Sequence, residues 1–456
     1  MTDPEATGRD PAPLRLRDGS RVCIVGGGPA GSFSAILLQG MARDRGTRLE
    51  VVLFEGRGDA PRCGHATCKG CAGIVSTRAL ESMRTIGIDL PEDVVLEEVC
   101  GYVLHIPHLP RDMAYLSAPE PGQRIVSVYR GFGPRSDPPH PIRSFDHFLR
   151  QTAAERGTHI VYEPVRSVQW ADGRPVVLTD AKHWGCDLVV LATGVNARPP
   201  MGETFHYRPP RTATMFQQEC PRPETMPEGR IGAFFGQPSD VVFATLVPKR
   251  DLVNVSLLGK VWDRSRREAL ASFLASPVGW LDQFFPQAPE RLCTCSARVV
   301  VGGARRYYGD RWVAVGDAAV SRLYKDGIGS ACRTSLRAME TAVNRGVAAR
   351  DFRRGYAPYC RRVSRNNATG RLLFWLFARI LARRLLAVAA MRSIRREEAQ
   401  AGSTQRLSAI VWGMLTGDYT YLHVLRMLLS PATIARYAAD CLAVALRRNA
   451  SPDGRL

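Results

Sequence analysis

The stretch Arg21 to Glu55 constrains this chain most. A short apolar run, Val22 to Val25, leads into Gly26-Gly27-Gly28-Pro29-Ala30-Gly31. A segment with Phe33, Ile36, Leu37 and Met41 on one helical face follows, and a second apolar run, Leu49 to Phe54, ends in the acid Glu55. Strand, glycine turn, helix, strand and acid in this order predict a βαβ unit that binds a dinucleotide. Gly26 serves the tight turn, Gly28 the approach of backbone to a pyrophosphate, and Gly31 the close packing of helix on strand. Pro29 and Ala30 open the helix, whose free N–H groups and positive dipole end face the phosphates. Glu55 is placed to accept hydrogen bonds from ribose hydroxyls.

With 456 residues the chain is long enough for two intimately joined domains. Its net charge of +19, carried mostly by arginine, suits an anionic substrate or an anionic membrane surface. No nucleic-acid-binding motif accompanies the charge, so no nucleic-acid partner is expected. Residues 1–20 are polar, lack the apolar core of a signal peptide and predict a disordered lead-in. Twelve cysteines without a signal sequence predict reduced thiols and a cytoplasmic setting. No uncharged apolar run reaches the length of about 18 residues that a membrane-spanning helix needs.

Further along, Tyr102–Ile106 and Ile125–Tyr129 predict antiparallel strands, and Ser144 a helix N-cap before Phe145-Asp146. Ala171-Asp172-Gly173-Arg174 predicts a hairpin turn. Cys186 to Ala192 is a buried strand by its continuous apolar run and ends in Thr193-Gly194. Val241–Pro248 and Leu252–Leu258 predict two antiparallel strands, and Ser265–Leu274 a helix. From Gly327 onward the period is helical. The fold class expected is α/β: a Rossmann-like domain over residues 21–200 and 297–350, with strands inserted at 99–130. A β-sheet substrate domain over 201–296 and a helical C-terminal region over 351–456 complete it.

The most specific signal comes late. Trp312 to Val315 leads into Gly316-Asp317, and Asp326-Gly327-Ile328-Gly329 then opens another helix. The aspartate can accept from a ribityl hydroxyl, and the helix N-terminus at Gly327, Ile328 and Gly329 faces a flavin pyrimidine or a pyrophosphate. With Gly26–Gly31, Ala192-Thr193-Gly194 and Gly316-Asp317 in order, the chain resembles FAD-dependent oxidoreductases related to aromatic hydroxylases and geranylgeranyl reductases. The finer resemblance is to the geranylgeranyl reductases. It rests on the cysteine–glycine loop Arg62 to Gly73, and on Phe243-Ala244-Thr245-Leu246-Val247-Pro248 with Asn254-Val255-Ser256. Here the aromatics that line the family's lipid pocket are replaced, and Leu323-Tyr324-Lys325 stands where relatives carry a proline loop. The resemblance implies FAD, held by Gly26, Gly28, Gly31, Glu55, Thr193, Gly194, Gly316 and Asp317. It also implies an arginine, Arg143, touching the flavin chain or phosphate. The electron donor it implies is NAD(P)H or ferredoxin.

Cys63, Cys68 and Cys71, with His65, leave three readings open: a metal site, a redox dithiol, or a loop against the flavin. The resemblance favours the last, in which one cysteine places or protonates the substrate. It implies reduction of C=C bonds in an apolar, isoprenoid or lipid-like substrate. A flavin-dependent monooxygenase and a non-catalytic FAD-binding partner at a membrane are the rivals. Residues 371–391 and 411–429 combine apolar faces with arginines, which suits either a packed helical subdomain or a peripheral membrane contact.

Overall fold

The computed structural model describes residues 14–56, 73–106, 114–130, 143–235, 241–259, 268, 273, 285, 293–400 and 405–450. Cys63, Cys68, Cys71 and His65, and most of the helix expected at Ser265–Leu274, lie outside these residues.

The apolar runs that open the chain and return late form one sheet. Its strands lie in the order Tyr308–Gly309, Trp312–Ala314, Leu188–Leu191, Arg21–Val25, Glu50–Phe54, His159–Val161. All neighbours are parallel except the short Tyr308–Gly309 edge, with Cys23 opposite Val189 on one side and Val52 on the other. The central strands are apolar on both faces and buried: helix Pro29–Asp44 packs against them, and Val168, Val177 and Trp184 of a small antiparallel sheet join the same core, with Trp184 edge-on to Phe54 at 5.6 Å. The chain starts at the middle, builds outward to His159–Val161, then returns to the other side of Arg21–Val25. Strand order therefore reverses beside the glycine turn, and that reversal opens a crevice at the carboxyl ends. The helix Phe145–Glu155 starts as expected, with Ser144 Oγ accepting from the His147 N–H at 3.1 Å. Strands Ser167–Ala171 and Arg174–Leu178 pair across the expected turn, with Asp172 and Gly173 both at positive φ.

A second sheet has seven strands in the order Cys293–Val300, Thr212–Pro221, Leu252–Gly259, Val241–Lys249, Arg230–Phe234, Gly101–His105, Ala114–Ser117. Here the structure departs from the sequence reading. Gly101–His105 pairs in parallel with Arg230–Phe234, so the strands expected as an insertion in the first domain complete the second sheet instead. The remaining inserted strand, Ile125–Val128, lies between Ile74–Ser76 and Val95–Val99 in a small antiparallel sheet.

The C-terminal helices are Ala357–Leu381, Arg384–Ala399, Arg406–Leu415, Tyr421–Leu428 and Pro431–Ala450. The helical period expected from Gly327 onward is interrupted at Arg383, whose backbone is extended. Trp412, Leu381, Met391 and Ile394 pack with Tyr102, Leu104 and Ile231 of the seven-stranded sheet in one core. Glu397, buried, accepts from Leu407 N (3.1 Å), Ser408 N (2.9 Å) and Ser408 Oγ (3.0 Å), and so caps the Arg406–Leu415 helix. No helix among the described residues is long and apolar enough to cross a membrane.

Candidate active site

The glycine turn forms because nothing larger fits it. Gly26 has φ +111°, and a Cβ there would stand 2.6 Å from the Ala192 carbonyl oxygen. At Gly31 a Cβ would lie 1.9 Å from the Gly26 carbonyl oxygen, so helix Pro29–Asp44 rests directly on its own turn. Helix Gly327–Asn344 packs against this helix, and Ser335 Oγ donates to the Ala30 carbonyl at 2.9 Å. Both helix N-termini thereby meet one cleft.

That cleft, of about 500 Å³, is lined by Gly26, Gly28, Pro29, Ala30, Glu55, Thr193, Gly194, Asp317, Gly327 and Ile328. These residues come from three stretches far apart in the chain. Gly31, Gly316 and Gly329 stand behind the lining. A Cβ at Gly316 would meet Ala30 Cβ at 2.7 Å, and one at Gly329 would meet Asp326 Oδ1 at 2.2 Å. Their role is close packing.

Arg143 is placed differently from the expectation. It pairs with Asp93 at 3.0 Å, donates to Gln151 Oε1 at 2.8 Å and is absent from the cleft lining. Two arginines that sequence reasoning missed lie closer. Arg150, buried on the Phe145–Glu155 helix, donates to the Gly27 carbonyl at 3.3 Å, and Arg130 lines the cleft while paired with Asp146 at 2.9 Å. An arginine on the buried face of the Phe145–Glu155 helix was the available signal.

A second cavity, of about 250 Å³, shares Arg130, Asn196, Asp317, Gly327 and Ile328 with the cleft and continues it toward the seven-stranded sheet. Thr245, Ser256 and Gln217 line it and stand in one cross-strand row, since Thr245 pairs with Ser256 and Ser256 with Gln217. Thr245 within the apolar run Val241–Val247 was the available signal, whereas Thr212–Pro221 and Leu252–Gly259 each carry more than one polar residue and single out neither Gln217 nor Ser256. Asn196, just after Thr193-Gly194, ties the cleft wall to the seven-stranded sheet: its Oδ1 accepts from Arg298 N at 2.7 Å and its Nδ2 donates to the Arg298 carbonyl at 3.3 Å. The cysteine loop has its described ends at these spaces, Gly56 in the cleft and Gly73 in the second cavity. Among the described residues no group of His, Cys, Asp or Glu could hold a metal ion.

The segment Arg322 to Lys325 closes the far side. Leu323 N donates to Asn367 Oδ1 at 3.0 Å, while Arg322 donates to the carbonyls of Tyr419 (2.7 Å) and Gly413 (2.8 Å). Lys325 Nζ then lies 3.8 Å from the centre of the Phe243 ring and lines the second cavity. Burial, and secondarily the Arg322 cation, lower its pKa to about 7. Burial raises the Asp317 carboxyl, against the opposing pull of a Ser321 hydrogen bond and Arg130.

The cleft fits a dinucleotide on two observations. Thr193 Oγ1, at the cleft wall, is buried without a hydrogen-bond partner among the described residues. Among the described residues, and beyond the chain neighbours, no atom lies within 4 Å of where a Cβ on Gly28 or Gly194 would stand, which leaves the backbone there room for a ligand.

Solved structures share this architecture. A geranylgeranyl bacteriochlorophyll reductase-like protein from Thermoplasma acidophilum aligns over 93% of this chain and 99% of its own, with a TM-score of 0.61 at 15% identity. The fold is that of the geranylgeranyl reductase-like and flavin-dependent halogenase structures. The flavin-dependent halogenase CmlS aligns over 92% of this chain and 78% of its own, with a TM-score of 0.60 at 16% identity. A peptidyl tryptophan dihydroxylase aligns over 86% and 78%, with a TM-score of 0.52 at 19% identity. No protein-family model and no curated protein sequence matches the chain.

Proposed function

We propose that this chain is an FAD-dependent oxidoreductase that reduces C=C bonds of an apolar, isoprenoid or lipid-like substrate. One observation carries the reading: three distant motifs line a single cleft that runs, through Asp317 and Gly327, into a second cavity. A geranylgeranyl bacteriochlorophyll reductase-like protein shares this fold, and a flavin-dependent halogenase that also shares it supports the flavin part of the reading alone.

Glu55, Thr193, Asp317 and the helix N-termini at Pro29 and Gly327 would hold the cofactor. Bound FAD supplies two-electron transfer, with NAD(P)H or ferredoxin as the source of electrons. The chain's own share is to shield the second cavity from water, orient the substrate against the Gln217–Ser256–Thr245 row and provide a proton. Lys325 Nζ is a described proton donor, beside the expected Cys63, Cys68 and Cys71.

A second reading, a flavin-dependent monooxygenase, is favoured by the polar row in the cavity, which suits a substrate with hydrogen-bonding groups. A single experiment tests both. The purified protein should show flavin bands near roughly 375 and 450 nm that bleach with anaerobic NADPH or reduced ferredoxin. Product two hydrogens heavier than an isoprenoid substrate supports the reductase; oxygen consumption with a hydroxylated product supports the monooxygenase. A protein that cannot be reconstituted with FAD refutes both.

A further inference from the structure

The C-terminal helices carry features that the oxidoreductase reading does not use. Nine large hydrophobic side chains stand exposed among the described residues, and seven of them belong to this region. They include Trp375 (56% exposed), Leu429 (61%), Ile434 (53%) and Leu442 (62%), on or beside three helices that share one cavity. Exposed apolar residues gathered in one region mark an interaction surface, where scattered ones would not.

Charge narrows the partner. Residues 357–450 hold fifteen arginines, no lysine and four carboxylates, a surplus of eleven positive charges in a chain whose total is +19. All four carboxylates are engaged within the protein. Glu397 accepts from Ser408, Glu398 from Ser117 N, Asp418 from Trp412 and Arg78 N, and Asp440 from Arg396. The outward charge of these helices is therefore arginine. A second copy would bring the same positive face and repel it, whereas an anionic bilayer complements both the arginines and the apolar side chains. Arg379 lies 5.4 Å over the Trp375 ring, an amphipathic pair of the kind that sits at a membrane interface.

Beneath this surface lies a cavity of about 410 Å³, separate in its lining from the two already described. Leu104 and Phe235 of the sheet form its floor, with Phe377, Met414, Val424 and Ile434 among its helical walls. Ile434 both lines it and is half exposed, so the cavity opens where that helix meets solvent. Its lining is almost wholly apolar, which admits a hydrocarbon chain and offers a charged headgroup nothing.

We infer that the C-terminal helices dock on an anionic phospholipid bilayer and that the cavity beneath them receives one acyl chain from it. The inference does not rest on flavin chemistry, and its test needs no turnover. The full chain should co-sediment with vesicles of equal phosphatidylglycerol and phosphatidylcholine, and leave vesicles of phosphatidylcholine alone. Arg379→Glu with Arg426→Glu, or Leu429→Ser with Leu442→Ser, should weaken that binding on the order of tenfold or more. These positions are exposed, so the variants should melt as the parent does. The chain should also bind the fluorescent fatty acid cis-parinaric acid. Ala438→Trp, which fills the cavity mouth, should abolish that signal and leave vesicle binding in place. Equal binding to both vesicle types, or to neither, overturns the docking surface. Parinaric acid binding that Ala438→Trp does not change overturns the chain site. Neither outcome touches the visible spectrum that decides the oxidoreductase reading.

Discussion

Ser34 and Ser335, 301 positions apart, meet in the core: Ser34 Oγ donates to Ser335 Oγ at 3.0 Å, and Ser335 Oγ to the Ala30 carbonyl at 2.9 Å. This short chain of hydrogen bonds fixes how helix Gly327–Asn344 crosses helix Pro29–Asp44, and so how both N-termini face the cleft. Replacing Ser335 by Ala should cost about 1 kcal/mol of stability, the usual net worth of a buried hydrogen bond. Because Ser34 and Ser335 are hydrogen-bonded to each other, the Ser34→Ala and Ser335→Ala effects should not add. Urea denaturation of the two single variants and the double variant measures the difference.

Gly28 and Gly31 separate binding from folding. Among the described residues a Cβ at Gly28 meets nothing within 4 Å beyond its chain neighbours, whereas one at Gly31 would stand 1.9 Å from the Gly26 carbonyl oxygen. Gly28→Ala should therefore melt like the parent and lose FAD affinity by about tenfold or more, as the phosphates would meet a methyl group. Gly31→Ala should lower the melting temperature itself. Flavin titration beside thermal denaturation tells the two apart.

Lys325 should change charge near neutral pH. Its folded pKa is about 7, lowered by burial and by Arg322, against about 10.4 for an unperturbed lysine. Between these values the unfolded chain holds a proton that the folded chain has released, so this residue's contribution to stability rises with pH across that window. Below about 7 both states are protonated and the penalty for the buried cation is fully present. Acetic anhydride labelling followed by mass spectrometry should find Lys325 half-reactive near pH 7, well below exposed lysines. Labelling that follows the exposed lysines would refute the assignment.

A buried ion pair stiffens the second sheet. Lys249 Nζ lies 3.0 Å from Glu219 Oε1, and both residues are buried. Lys249→Met removes the ammonium beside a buried carboxylate and should cost about 3–5 kcal/mol. Adding Glu219→Leu should return much of that loss, because the buried carboxylate is then removed as well. Denaturant midpoints of the single and double variants check it.

Short-range pattern carried much of the architecture. The glycine turn, the Ser144 cap, the Asp172-Gly173 hairpin and the late Gly316-Asp317 are local features whose chemistry needs only neighbouring residues, and each stands where the pattern placed it. The cleft residues Gly26, Gly28, Glu55, Thr193 and Asp317 were legible for the same reason. Tertiary structure decided the rest. The strand Gly101–His105 carries no mark of which sheet it joins, because a strand's backbone groups pair with whatever strand the packing brings alongside. Arg143 precedes the Ser144 cap and Arg150 lies inside the helix, and only the docking of that helix turned Arg150 toward Gly27 and left Arg143 to Asp93. The ammonium of Lys325 acquires its lowered pKa from Phe243, Arg322 and the helices that hold its loop, residues scattered over the chain. Burial and electrostatic environment are sums over neighbours in space, and the sequence names those neighbours only after it has folded.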